Sequence, residues 1–204
     1  MRNCHWALTG LMLFTWGCGA EKPPESIPRS APPTKRSAPQ VEKVTESAHR
    51  PLSPAEIADG WIELFDGESL FGWQPTSNAN WRVENGEIVA STGEPGWLNT
   101  TTQFADYELR CDCWVEKGGN SGIFLRNPPA PKNPAVDCYE FNLCDTHEQF
   151  ATASLVARAQ PTKTVTNDGA WVTYHITVGG NQISATVDGE TVLEYTDESS
   201  DRPR

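Results

Sequence analysis

The chain has 204 residues and a formal net charge of −11, with 16 Lys and Arg against 27 Asp and Glu. That length suits one domain of ordinary size rather than two. The negative charge, nine Lys and Arg against twenty-two Asp and Glu after residue 56, argues against nucleic acid as a partner, because phosphates demand cationic side chains, whereas a neutral ligand such as a sugar needs no matching field.

The first residues, MRNCHWALTGLMLFTWGC, set one early Arg2 before an apolar run too short to span a bilayer, then Gly17 and Cys18. This is the layout of an export signal. The run ends at a cysteine rather than at an A-x-A site, so residues 1–18 resemble a bacterial lipoprotein signal with Cys18 as the lipidated first residue of the mature chain. Thr15 and Trp16 stand where Leu and a small residue are usual. The expectation is an exported protein, held by a lipid anchor on a membrane facing the periplasm or at the cell surface.

Residues 19–56 hold eight of the sixteen prolines, mixed with Ser, Ala, Thr, Lys and Glu. Such a segment buries too little apolar surface to offset its ordering entropy, and reads as a disordered, extended tether. Near its end, Ser53 followed by Pro54 signals a single capped helical turn. The folded domain is expected over residues 57–204.

Within it, WIELFD, GEIVAS, GWLNTTT, DYELRCDCWVE, SGIFLR, DCYEFNLC, AWVTYHITV, NQISATVDG and TVLEYTD alternate apolar with polar residues and are separated by turn pairs such as Asn85-Gly86, Gly179-Gly180 and Asp188-Gly189. No helical period competes with them. Many short strands and tight turns mean an all-β sandwich or jelly roll, with six tryptophans after the leader to fill it. Cys111, Cys113, Cys138 and Cys144 remain once Cys4 and Cys18 are set aside. Export permits disulfides, C-x-C on one strand equally suits small buried thiols, and the C-x-x-C spacing of structural zinc is absent.

Strand alternation sorts the side chains by face. Tyr107, Leu109, Cys111, Cys113 and Val115 should point to the core, with Asp112 and Trp114 away from it. Ile123 and Leu125 should point inward, sending Phe124 and Arg126 outward, and Tyr139, Phe141 and Leu143 inward, sending Glu140 and Asn142 outward. An outer face of Trp114, Phe124, Arg126, Glu140 and Asn142 suits a carbohydrate, since rings stack on C–H faces and polar groups read hydroxyls. The alternative is a loop that covers these aromatics as a second small core.

The segments GWIELFDGESLFGW, WRVENGEI, DYELRCDCWVEKGGNSGIFLR, DCYEFNLCDTH with TASLVAR, and GAWVTYHITVGGNQISATVDGETVLEYTD together resemble the 3-keto-disaccharide hydrolase domain family, from about Gly60 to Asp197. The resemblance implies a concanavalin/LamG-like jelly-roll sandwich. Asn142 stands where the family often has Gln, Ala153 where it has Gly, and Val172 where it has Asn. The family usually closes with strands of the form G-x-I-x-L-Q and F-R-N-I, so a sandwich lacking its last one or two strands is expected over the residues given.

The resemblance also implies a chemistry. A ketone at C3 of a glucoside acidifies the hydrogen on C2, and the glycosidic oxygen on C1 can then leave by elimination, with water added later. This needs a base near C2, a polarising group on the ketone and an acid for the leaving oxygen. Glu140 is the expected acid/base, Arg126 the group that holds the enolate or sugar hydroxyls, and His147 a second proton carrier or a metal ligand. Asn120, Asn142, Asp112, Trp114 and Phe124 complete the substrate face, the partner being an oligosaccharide or 3-keto-glucoside. No cofactor is implied, and the need for a divalent metal is left open. Two other readings use the same residues: an Arg126–Glu140 pair that merely fixes sheet register, and a lectin-like module, tethered to a membrane, that binds glycans without cleaving them. An ordinary glycosidase would need two facing carboxylates, and Glu140 and Asp145, an odd number apart, would face opposite ways on one strand.

Overall fold

The computed structural model describes residues 4–13, 50–129, 131–200 and 203. In chain order its elements are β1 (Cys4–Leu13), α1 (Pro54–Ala58), β2 (Trp61–Glu63), β3 (Trp73–Pro75), β4 (Arg82–Glu84), β5 (Glu87–Val89), β6 (Leu98–Thr100), β7 (Tyr107–Val115), β8 (Ser121–Leu125), α2 (Pro134–Asp137), β9 (Tyr139–Leu143), β10 (Trp171–Gly179), β11 (Gln182–Val187) and β12 (Glu190–Thr196). The fold is an all-β jelly-roll sandwich, and the two helices are single turns.

One layer is a sheet ordered β12-β11-β10-β7-β1-β5-β4, with β2 also paired to β1. The strand β1, drawn from the segment read as a leader, runs parallel to β7 on one side and to β2 and β5 on the other. Cys18 and most of the tether lie outside the described residues. The tether's last residues are part of the folded unit. Ser53 and Glu56 close a capping box around α1, with Glu56 N–H donating to Ser53 Oγ at 3.3 Å and Ser53 N–H to Glu56 Oε2 at 2.9 Å. Glu56 also accepts from Arg110 of β7 at 2.8 Å, and that guanidinium lies 3.8 Å over the Trp61 ring.

The second layer consists of two separate pairs, β3–β6 and β8–β9. The expected alternation holds on both sides of the core. Val172, Tyr174, Ile176 and Val178 are buried along β10 while Trp171, Thr173 and Thr177 are exposed, and Cys111, Cys113, Val115, Ile123, Leu125, Tyr139, Phe141 and Leu143 all enter the core. Phe141 of the second layer meets Tyr174 of the first edge to face, 5.5 Å between centroids. Two of the hairpin loops foreseen close with both central residues left-handed, Asn85 and Gly86 at φ 53° and 79°, Asp188 and Gly189 at 48° and 83°. The third is Gly180-Asn181, one residue later than expected, between the paired Gly179 and Gln182.

The buried Asp197 fastens β9 to the end of β12. It accepts the Tyr139 hydroxyl at 2.8 Å and a bond from Arg158 at 3.2 Å, while the Arg158 guanidinium sits 4.6 Å over the Tyr139 ring. Cys111, Cys113, Cys138 and Cys144 are free buried thiols. The Cys113 and Cys111 sulfurs lie 3.9 Å apart, within a strand paired along both edges, against about 2.05 Å in a disulfide. Cys138 and Cys144 flank β9, roughly 20 Å apart at 3.3 Å per residue. The bond to Cys111, then burial, hold the Cys113 thiol well above its ordinary range, and burial lifts Cys138 to about 11, so neither offers a thiolate for exchange. Alkylation of the denatured, non-reduced protein should therefore modify all four, as read by peptide mass. A disulfide-linked peptide containing any of them would contradict this arrangement.

Candidate functional site

Between the two pairs of the second layer opens a cleft of about 1280 Å³. Trp73, Trp81, Trp97, Phe104 and Phe124 supply aromatic wall, Asn99, Asn120, Asn127 and Glu140 supply polar groups, and Tyr107, Leu109 and Cys111 of β7 also line it. It is large enough for a small-molecule ligand, and its mixture of rings and amides is that of a saccharide cleft.

Glu140 and Phe124 are register partners on β9 and β8. They share the outward face, as alternation requires. The Glu140 side chain fits because residue 122 is glycine: a Cβ there would lie 3.1 Å from Glu140 Cγ and 3.1 Å from its Oε1. Its carboxylate has no hydrogen-bond or ion-pair partner among the described residues. Burial raises its pKa above the ordinary value, with the nearby His147 acting in the opposite sense. An unpaired, half-buried carboxyl in a cleft is the pattern of a working acid/base rather than of a structural ion pair. Phe124 packs its ring against Trp97 edge to face at 5.7 Å, and Asn120 stands exposed at the lip.

Arg126 corrects the sequence reading. It borders the cleft but adopts φ 52°, so the alternation of β8 ends at Leu125 and the side chain leaves the outward face. Only 3% of that side chain is exposed. Its nitrogens donate to the carbonyls of Ala105 (2.7 Å), Gly180 (2.7 Å) and Pro203 (3.1 Å) and to Asp106 Oδ1 (2.8 Å). The guanidinium is a loop clamp and does not face Glu140.

Asn142 shares the face of Glu140 yet is only 1% exposed. The segment that follows β9 folds over it: its Nδ2 donates to the Phe150 carbonyl, its N–H to Ser154 O at 2.9 Å, and its own carbonyl accepts from Ala153 at 2.8 Å. The covering loop weighed as an alternative is thus real at this position, and Asn142 is structural. Ala153, in place of the family's glycine, takes φ 70° in this turn.

Trp114 and Asp112 belong elsewhere. They sit on β7, whose Tyr107, Leu109 and Cys111 face the cleft and core, so strand alternation turns Trp114 and Asp112 to the opposite side of the sandwich. Asp112 accepts the Thr173 hydroxyl at 2.6 Å, and Trp114 is in register with Trp171.

Asp145 gives no second acid for a two-carboxylate mechanism. It accepts the Thr152 hydroxyl and the N–H groups of Asn167 (2.9 Å) and Asp168 (3.1 Å). His147 is exposed at the turn after β9, its Nδ1 accepting from Gln149 N–H at 3.2 Å and Phe150 N–H at 3.0 Å. Among the described residues no group of three or more His, Cys, Asp or Glu side chains gathers where it could hold a metal ion.

Sequence reasoning missed Trp97, Asn99 and Asn127. The Asn127 amide donates to Asn99 Oδ1 at 3.2 Å, bridging the two strand pairs. The signal was available: Trp97 and Asn99 lie two apart in GWLNTTT and so share a face.

A sequence profile described as the 3-keto-alpha-glucoside-1,2-lyase-like domain matches residues 60–204. A 3-keto-disaccharide hydrolase of Bacteroides thetaiotaomicron is 37% identical, over 41% of this chain and 36% of that protein. Two crystal structures from Parabacteroides distasonis, each described as a candidate glycosyl hydrolase, share the fold. One has a TM-score of 0.61 at 24% identity, covering 74% of this chain and 78% of that one. The other has a TM-score of 0.50 at 21% identity, covering 61% and 72%.

The clamp at Arg126 has a direct test. Lysine carries one ammonium on a flexible stem and cannot meet three carbonyls and a carboxylate at once. Arg126→Lys should lower the free energy of unfolding by about 2 kcal/mol, seen as an earlier urea midpoint. An unchanged midpoint would remove the clamp.

Proposed function

Since the chain belongs to the 3-keto-alpha-glucoside-1,2-lyase-like domain family, we propose that it is a carbohydrate-active enzyme cleaving the glycosidic bond of a 3-keto-glucoside, with Glu140 as its acid/base. The observation that carries this reading is the Glu140 carboxyl itself: half-buried, raised in proton affinity and without a hydrogen-bond or ion-pair partner among the described residues, in a cleft whose lining is rich in aromatic rings.

The reaction asks little more of the protein than this. The Glu140 carboxylate takes the proton from C2, and the C–H electron pair moves into an enolate with the C3 ketone oxygen. The enolate re-forms the ketone as the C1–O bond breaks and a C1–C2 double bond appears. The leaving oxygen takes a proton, which the protonated Glu140 can return if it lies on the same side of the ring. Addition of water across the new double bond completes hydrolysis. The side-chain amides of Asn120 and Asn127 are donors at hand for the ketone oxygen, a role that the clamped Arg126 does not fill.

An unoxidised glycoside lacks this electron sink and needs two carboxylates about 5 to 10 Å apart. The lining holds two further carboxylates, Glu94 and Asp137, of which Asp137 accepts the N–H groups of Lys132 and Asn133, so the oxidised substrate is favoured here by the family match. Export and lipidation at Cys18 belong to the same proposal, and Cys18→Ala should move the protein from the detergent phase to the aqueous phase on phase separation.

Glu140→Gln should abolish turnover of 3-keto-sucrose, followed by product analysis, while sugar binding persists. Binding by the wild-type protein without turnover of oxidised or ordinary disaccharides would select the lectin-like reading instead. Because the base must be ionised, kcat/KM should fall on the acid side, along a limb displaced upward from the ordinary carboxylate value of 4.5. Stability should move the other way. A carboxyl whose folded pKa is raised costs nothing below its unfolded pKa, and the cost is complete once pH has risen past the folded one. Glu140→Gln should therefore be more stable than the wild type at neutral pH, with the gain vanishing below about pH 4. A gain that is the same at all pH values would argue against a desolvated carboxylate.

A further inference from the structure

The aromatic rings that line the cleft are of two kinds. Trp73 and Trp81 lie against the hydrophobic core, and the Trp73 indole also donates to the Leu64 carbonyl at 2.7 Å. Trp97 and Phe124 are half-buried rings that meet each other, with 81° between their planes. Phe124 stands across the strand pair from Glu140, which sets Trp97 one ring away from the carboxyl. In an edge-to-face pair only one ring gives up a face to the other, so flat apolar surface stays open beside Glu140.

Residues 76–80 hold Trp97 in that place. Thr76 engages both backbone groups of Trp97, its N–H donating to the Trp97 carbonyl at 2.9 Å and its Oγ1 accepting the Trp97 N–H at 2.8 Å. Ser77 Oγ donates to the Glu94 carbonyl at 2.9 Å, Asn78 Oδ1 accepts the Glu94 N–H at 2.7 Å, and Asn80 Oδ1 accepts the N–H groups of Ser91 and Thr92, both at 2.8 Å. Two glycines let the segments touch. A Cβ on Gly96 would lie 2.4 Å from Ser77 Oγ and 2.5 Å from Ser77 Cβ, and one on Gly93 would lie 2.5 Å from Ala79 Cα. Trp97 therefore stands on a seated segment, and its backbone needs no ordering when a ligand arrives.

We infer that Trp97 is the sugar-stacking platform of the Glu140 site and that Gly96 is a positioning residue that seats it. The inference rests on the reading of Glu140 above and singles out, from five aromatic residues in the lining, the one that bears the sugar. A hexose ring offers an apolar C–H face, and an indole is the largest flat apolar surface a side chain provides. A sugar laid on Trp97 would be held next to Phe124 and within the part of the cleft that Glu140 occupies.

Equilibrium titration with 3-keto-sucrose, in a Glu140→Gln background that binds without turnover, tests this. There Trp97→Ala should weaken binding by about 10- to 100-fold, the worth of one large apolar contact, and Trp97→Phe, which keeps a ring, should recover most of the loss. With Glu140 intact, Trp97→Ala should act mainly through KM. Gly96→Ala directs its added methyl at Ser77 and should weaken binding while the domain stays folded by circular dichroism. Ser77→Gly combined with Gly96→Ala removes the obstruction and should restore part of that affinity. Binding by Trp97→Ala equal to that of its parent, or losses of equal size in Trp97→Phe and Trp97→Ala, would overturn the platform. Undiminished binding in Gly96→Ala would remove the positioning role of that glycine. Turnover by Glu140→Gln itself, or a failure of that variant to bind the sugar, would instead remove the reading of the site on which the inference rests.

Discussion

A carboxylate held half out of water with no ion-pair partner is an expensive group, and among the described residues the second layer of the sandwich holds Glu140 in that condition. Desolvation disfavours its charged form. The usual relief, an arginine across the strand pair, is what the order of residues in SGIFLR and DCYEFNLC suggests. Here the arginine is withheld. The left-handed backbone at Arg126 carries the guanidinium out of the strand's alternation and into the loops. Phe124 faces Glu140, and glycine at 122, one pair along, leaves its side chain room, so Glu140 meets space and aromatic surface instead of a guanidinium. Had Arg126 continued the strand, it would stand diagonally across from Glu140, and the two could make a cross-strand ion pair of small energetic consequence that holds the carboxyl ionised.

The hairpin that bears Glu140 is clamped at its corners by the polar groups that leave the cleft free. Arg126 ties the end of β8 to the chain near Ala105, Gly180 and Pro203. Tyr139 and Arg158 tie the start of β9 to Asp197 beyond β12. Asp145 ties the end of β9 to Asn167 and Asp168. Each is a charged or phenolic group whose hydrogen bonds are spent on backbone or on another fixed side chain. A short two-stranded pair has little stability of its own, and these ties are what let it hold a side chain in one place. Preorganisation of that kind is what electrostatic catalysis draws on.

Strand alternation made much of this legible and also produced the chief errors. Period two correctly sends Ile123, Leu125, Tyr139, Phe141 and Leu143 inward and Phe124 and Glu140 outward, because each follows from its own strand's pleat. It cannot say that β7 lies in one layer while β8 and β9 lie in the other. Outward means opposite directions in the two layers, which is why Asp112 and Trp114 fall on the far surface from Glu140. Two further misplacements came from backbone that pattern does not encode. Arg126 looks like one more strand residue until its φ turns positive, and Asn142 looks exposed until residues 150–155 fold across it. Trp97 and Asn99 were readable by the same rule, had it been applied to GWLNTTT. The cap at Ser53 was legible in full, since it depends only on local spacing.

The clamped arginine and the half-buried Glu140 bear together on what kind of chemistry this cleft can support. Breaking an ordinary glycosidic bond develops positive charge at C1, which the protein must answer with a second carboxylate or an activated water on the opposite face. Removing the proton from C2 of a 3-keto sugar develops negative charge instead, and the ketone oxygen takes most of it. The substrate then carries its own electron sink, and the protein has to supply one base and neutral hydrogen-bond donors. Amides serve as such donors without holding Glu140 ionised, whereas a guanidinium beside the carboxyl would lower its pKa and weaken it as a base. On the proposed reading, the exile of Arg126 and the raised proton affinity of Glu140 are two sides of one requirement. On that reading the base stays strong because the nearest arginine gives its donors to Ala105, Gly180, Pro203 and Asp106 instead of to Glu140.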